Sequence, residues 1–229
     1  MKKSIFVVGI ISVTLTIGFF LSGCMTTYYD TPYYNRPVAI SPADQIRFFK
    51  YEVNTAGTGL IITGFDYDGA KNPDTITIPS SIDGVPVVQV GKGQKITWHQ
   101  YNKEILYVLP PTFAVILPNS VTVIGERAFE GQNISSIRME GVQKIGAETF
   151  RECRYLSTIN LPNIVNIGYS AFYFCDGLKD VTLSNNRIVW ESRESRYNVY
   201  ENNAFYRCTN LSVRSQMTIR QAGYGDNFQ

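Results

Sequence analysis

The chain has 229 residues, 44% of them hydrophobic and 13% aromatic, enough for one sizeable core and too apolar for wholesale disorder. Charged residues make up 17%. Without Lys2 and Lys3, which sit in a segment expected to be removed, the basic residues fall from 21 to 19 and equal the 19 acids. A balance near zero gives no electrostatic drive toward nucleic acid, and one histidine with four cysteines leaves little material for a metal site.

In chain order, the first element is an address. Residues 1–23 have a basic start (Lys2-Lys3), an apolar stretch from Ile5 to Phe20, then small residues. This is the layout of a secretory signal. The ending Leu21-Ser22-Gly23-Cys24 resembles the lipobox of bacterial lipoprotein precursors. That resemblance implies cleavage before Cys24, a lipid on its thiol, and anchorage in a bacterial envelope membrane, with Met25 in the next position favouring the outer membrane. Residues 24–44 form the lipidated cysteine and a tether with no helical or strand period. Its pairs Tyr28-Tyr29 and Tyr33-Tyr34 fit a semi-extended linker.

Residues 45–75 read as two strands across a Gly-rich turn, a β-hairpin expected to cap the open end of a repeat array. From 76 to 213 the sequence repeats itself. Four copies align on Ile-Gly and Phe, at 121–139, 142–162, 165–183 and 202–213, with phenylalanines 129, 150, 172 and 205. A half-copy at 76–91 ends on Val90-Gly91. Within one copy, Ile159 and Leu161 alternate inward from a short strand while Asn160 points out. Gly168 is expected to allow a tight turn. Phe172 and Cys175 turn back toward the core. No copy can bury its apolar face alone, so neighbouring coils must stack.

The pattern A-F-x-x-C-x-x-L-x-x-I-x-I/L-P-x-x-V-x-x-I-G resembles the BspA-like, Treponema-type leucine-rich repeat of bacterial surface proteins. The likeness is specific over 117–183. It implies a leucine-rich-repeat solenoid: mostly β, with short parallel strands, irregular or short helical turns, and a strand-lined face. Two insertions interrupt the array, at 92–112 and 184–201, and the first full copy has Gln132 in place of cysteine. Residues 214–229 read as a polar, frayed tail.

Candidate chemistry is sparse. Cys153, Cys175 and Cys208 each follow a phenylalanine by three residues. Stacked positions about 5 Å apart come within disulfide range. Three equivalent thiols cannot all pair, so a buried ladder is favoured over a disulfide or zinc. His99 has no plausible catalytic partner. Gly91–Lys95 (GKGQK) is too short for a phosphate loop. Glu191, Glu194 and Glu201 mingle with Arg187, Arg193 and Arg196 as a solvated loop rather than an acid–base pair.

The outward strand positions are Thr77, Ile116, Arg138, Asn160 and Thr182, expected to line one row that binds a partner. Trp98, Tyr101 and Tyr107 in the first insertion, and Trp190, Tyr197 and Tyr200 in the second, stand either as rim contacts for a partner or as packing against the solenoid. The reading is a lipid-anchored surface protein without enzyme chemistry or cofactor, binding a protein or glycan in the manner of an adhesin. The alternative is a structural lipoprotein with a partner inside the envelope.

Overall fold

A computed structural model describes residues 41–65, 74–96, 112–184, 188–194, 199–200, 202–225 and 228. The signal segment, Cys24, the tether up to residue 40, Trp98, His99, Tyr101, Tyr107 and Tyr197 lie outside the described residues.

The chain enters through helix α1 (Pro42–Gln45), whose N-cap Ser41 accepts from the Asp44 amide, and a 3-10 turn (Ile46–Phe48). Strands β1 (Phe49–Val53) and β2 (Leu60–Phe65) come next as an antiparallel hairpin. Strand β3 (Thr75–Thr77) opens the first coil, and β4 (Ser81–Ile82) and β5 (Val85–Val90) fold back on each other. Asp83 and Gly84 both have positive φ, as a two-residue hairpin turn of this hand requires.

Each later coil contributes one strand to an outward-facing row and a two-residue strand to a ladder behind it. The longer strands are β6 (Phe113–Ile116), β8 (Ile134–Arg138), β10 (Thr158–Leu161) and β12 (Asp180–Leu183). The short ones are β7 (Val123–Ile124), β9 (Lys144–Ile145), β11 (Asn166–Ile167) and β13 (Val189–Trp190). A small hairpin, β14 (Arg193–Glu194) with β15 (Val199–Tyr200), precedes the last turn, and helix α2 (Val213–Gln221) closes the chain. The ladder sheet runs β1-β2-β5-β7-β9-β11-β13, parallel from β2 onward.

The repeat is visible as stacked chemistry. The rings of Phe129, Phe150, Phe172 and Phe205 stack face to face, with centroids 5.4, 5.2 and 5.1 Å apart and planes within 7°. Cys153, Cys175 and Cys208 are free and buried. Each thiol donates to the carbonyl of the preceding coil's phenylalanine: Cys153 to Phe129 at 3.0 Å, Cys175 to Phe150 at 3.0 Å, Cys208 to Phe172 at 3.1 Å. Cysteine here is a small core residue whose weak donor meets a carbonyl of the neighbouring coil.

Four expectations need correction. The glycine of each Ile-Gly pair is not there for a turn. A Cβ on Gly146 would lie 2.5 Å from the Glu126 nitrogen, and one on Gly168 would lie 2.4 Å from the Ala147 nitrogen. Close approach of the preceding coil's backbone excludes the side chain.

The second insertion starts later than 184. Val189 and Trp190 pair in parallel with Asn166 and Ile167, so they are the ladder strand of the last coil. Trp190-Glu191 stands where the other coils have Ile-Gly, which hides the register in the sequence.

The N-terminal hairpin extends the ladder sheet at its edge. The open edge of β3 is met instead by buried Gln45, whose amide donates to the Thr75 carbonyl at 3.0 Å and accepts from the Thr77 amide at 2.9 Å. One side chain imitates a neighbouring strand.

The described residues of the tail are packed rather than frayed. They form α2 and place Tyr224 and Phe228 in the core. Phe129, Phe150 and Phe172 each donate their amide to a carbonyl of the next coil. Phe205 has no next coil, and its amide donates to the Tyr224 hydroxyl at 3.2 Å. The Phe174 amide donates to the Tyr206 carbonyl, and by the same step the Arg207 amide donates to the Phe228 carbonyl at 3.2 Å. On α2, Ser215 Oγ accepts from the Val181 amide at 2.9 Å and donates to the Lys179 carbonyl at 3.0 Å, sealing the edge of β12.

Candidate binding faces

The outward strand row is split between two sheets, β3-β6-β8 and β10-β12. Thr77 pairs with Ile116, Ile116 with Arg138, and Asn160 with Thr182. Their neighbours on the strands, Ile76, Val115, Ile137, Ile159 and Val181, are buried. Alternation puts the row on the opposite side of the strand from the core. Thr77 and Ile116 are half-buried, while Arg138, Asn160 and Thr182 are exposed. A second outward row lies two residues upstream: Thr75 beside Ala114, Ala114 beside Ser136, and Thr158 beside Asp180. These side chains are short, so the surface is shallow. It carries one cation, Arg138, which lies 3.6 Å from Glu140, and one anion, Asp180. No cluster of three or more metal-ligating side chains occurs among the described residues.

The described residues of the second insertion make their contacts away from this face. These contacts run to the flank just past the ladder strands. There Glu148 is buried, at 3% exposure, with its backbone in the left-handed region. Arg127 Nη2 and Nε reach Glu148 Oε2 at 2.7 and 2.8 Å, and Arg193 Nη1 reaches Oε1 at 3.1 Å. Glu148 raises the Arg127 pKa through that hydrogen bond and its charge. Lys144 pairs with Glu191 at 3.1 Å, and the Arg193 guanidinium lies 6.0 Å from the Tyr169 ring centre. The insertion is therefore clamped through a buried carboxylate.

Trp190 has a structural task. Its indole N–H donates to the Ala222 carbonyl at 2.9 Å, and its ring lies against Tyr224 and Phe205 at 4.9 and 6.1 Å. Its expected role as a rim contact gives way to packing, because the C-terminal closure uses both its ring and its donor. Burial pushes the Tyr224 hydroxyl up to about 12, and it pushes the Cys153 and Cys208 thiols up to about 12 as well. Such thiols are held neutral and are poor nucleophiles.

A third surface escaped the sequence reading. On the turns after the stacked phenylalanines, Tyr173 stacks on Tyr206 at 5.4 Å and meets Phe174 edge-on at 4.9 Å. The Arg151 guanidinium lies 5.3 Å from the Tyr173 ring, and those of Arg154 and Arg207 lie 6.0 and 5.2 Å from the Phe174 ring. The available signal was the residue just after three of the four stacked phenylalanines: Arg151, Tyr173 and Tyr206.

Stacked parallel strands, glycine-spaced coils and a phenylalanine column together define a repeat solenoid. Residues 112–212 match the family described as BspA type Leucine rich repeat region, in six copies. The fold is that of a leucine-rich-repeat protein.

Two solved structures share it. The T. pallidum leucine rich repeat protein TpLRR is 21% identical, with a TM-score of 0.50, and the match covers 80% of this chain and 97% of that one. The pneumococcal vaccine antigen PcpA is 20% identical, with a TM-score of 0.52, over 73% of this chain and 41% of that one. No curated protein matches the sequence significantly.

Proposed function

We propose that this leucine-rich-repeat chain is exported, anchored by lipid on Cys24 in the bacterial envelope, and displayed at the cell surface to hold a protein or glycan partner. The partner lies along Thr77, Ile116, Arg138, Asn160 and Thr182, and no covalent chemistry takes place.

The observation that carries the reading is the open strand row. Exposed Arg138, Asn160 and Thr182 repeat coil by coil, while Gln45 and Ser215 occupy the edge backbone groups at the two ends. A partner can use such a face without displacing any element of the fold. The surface role also rests on the lipobox-like ending at Cys24 and on the BspA type repeats at 112–212.

The test has two parts. Protease treatment of intact cells should remove the protein, and Cys24→Ser should release it from the membrane fraction. A photo-crosslinking residue at Asn160 should capture a partner, while one at exposed Met217 on α2 should not. Survival on intact cells with digestion after lysis would turn the reading inward, to a partner within the envelope. Equal capture at Asn160 and Met217 would remove the strand row from the proposal.

A further inference from the structure

The arginine–aromatic cluster on the turns is a second candidate surface, away from the strand row. Arg151, Tyr173 and Tyr206 occupy one column, each just after a stacked phenylalanine. Gly131, Glu152, Phe174 and Arg207 occupy the next column, and all four have positive φ, from 60° to 65°. Glycine suits that backbone, and the first copy uses it. A bulky aromatic there is a genuine outlier. Phe174 gains no core burial in exchange, because its ring is only half-buried. Its neighbours are the guanidiniums of Arg154 and Arg207, both exposed and both within 6.0 Å of the ring centre.

The charges around the cluster are unevenly matched. Glu152 is engaged by Arg151 at 3.4 Å, and Arg151 also lies 3.9 Å from Glu148. Asp176 is half-buried, with its Oδ1 out of contact with solvent. Arg154 and Arg207 make no ion pair among the described residues. Two guanidiniums held near a shared ring have lost part of their rotamer freedom and keep their planar donor forks. A carboxylate accepts such a fork through two parallel hydrogen bonds. Arginine and tyrosine are the residue types that dominate protein–protein hot spots.

We propose that the surface formed by Arg154, Phe174 and Arg207, with Tyr173 and Tyr206 beside it, binds an acidic segment of a protein. Side-chain carboxylates of that segment meet Arg154 and Arg207, and its backbone or apolar groups rest on the rings. Phe174 accepts a strained backbone in order to organise the two arginines.

The test titrates the full-length chain in detergent with poly-L-glutamate at about 50 mM salt, where surface charges are only partly screened. Poly-L-lysine and polygalacturonate serve as comparison polymers. Poly-L-glutamate should bind, and Arg154→Ala/Arg207→Ala should weaken it about tenfold or more. Arg154→Lys/Arg207→Lys keeps the charge, loses the fork, and should recover only part of the affinity. Arg138→Ala, on the strand row, should bind like the parent. Melting curves establish which variants fold, and the lysine pair decides the matter if the alanine pair does not. The proposal is overturned if poly-L-glutamate fails to bind, or if a folded double variant binds it as the parent does. Binding of polygalacturonate without poly-L-glutamate would assign the surface to acidic glycans instead.

Discussion

Phe150 lies between Phe129 and Phe172, ring on ring, with no exposed surface. Its truncation removes contacts to both neighbouring coils at once. Phe150→Ala should cost about 3–5 kcal/mol in chemical denaturation. Gly146→Ala should cost about 3 kcal/mol although it adds only one methyl. The new carbon would meet the Glu126 nitrogen at 2.5 Å, and backbone of a stacked coil cannot step aside as a side chain can. A parent-like midpoint for Gly146→Ala would mean that the coils are farther apart than the ladder implies. The thiols add a pH dependence. In the unfolded chain they ionise near 9.0, whereas burial holds Cys153 and Cys208 protonated to about 12. Folding is then fully supported by them below pH 9. That support drains away as the pH climbs from 9 toward 12, by about 1.4 kcal/mol per thiol per pH unit. Urea midpoints at about pH 8 and about pH 10 should therefore differ less for Cys153→Ala/Cys208→Ala than for the parent. Equal differences would mean that the thiols ionise alike in the folded and unfolded chains.

At the scale of elements, the ends of the array are built by residues that imitate a missing neighbour. Ser215→Ala leaves the Val181 amide without its partner, while the Lys179 carbonyl keeps the Ser212 amide, and Tyr224→Phe leaves the Phe205 amide without the hydroxyl it donates to. Each should cost about 1–3 kcal/mol, since an unsatisfied buried group costs more than a hydrogen bond gains. Thermal melts would check both, and Met217→Ala on the exposed surface of the same helix serves as the control. This divides what the sequence reveals from what it hides. The coil is legible because Ile-Gly, Phe and Cys recur at a fixed spacing, each under the same packing constraint. The strand row is legible for the same reason, by alternation from Ile159 and Leu161. The closures are not, because Gln45, Ser215 and Tyr224 each occur once and carry no period. Trp190 stayed open between partner contact and packing because it sits in an apparent insertion. Its position opposite Ile167 appears only once the strands are paired. The arginine–aromatic surface was hidden differently, since it joins the same turn position across three coils with changing residue type.

At the scale of the molecule, stability in a stacked array is carried by each coil and its two neighbours rather than by one shared centre. The middle coils have neighbours on both sides. The last coil has one neighbour and a closure made of a helix and three buried side chains, Ile219, Tyr224 and Phe228. Opening should therefore start at that end and move inward. Native-state hydrogen exchange should find the amides of Glu148, Phe150 and Glu152 slowest, each bonded to a carbonyl of the next coil. Those of Val181, Phe205 and Arg207, which are bonded to the closure, should exchange faster. Ser215→Ala should speed the second group and leave the first nearly unchanged, because loss of the closure frees only the terminal coil. Phe150→Ala should speed both groups, because it breaks the column in its middle and leaves too few coils on either side to stand alone. If Ser215→Ala instead accelerates all six amides equally, the array opens as a single cooperative unit, and the closure must stabilise every coil at once.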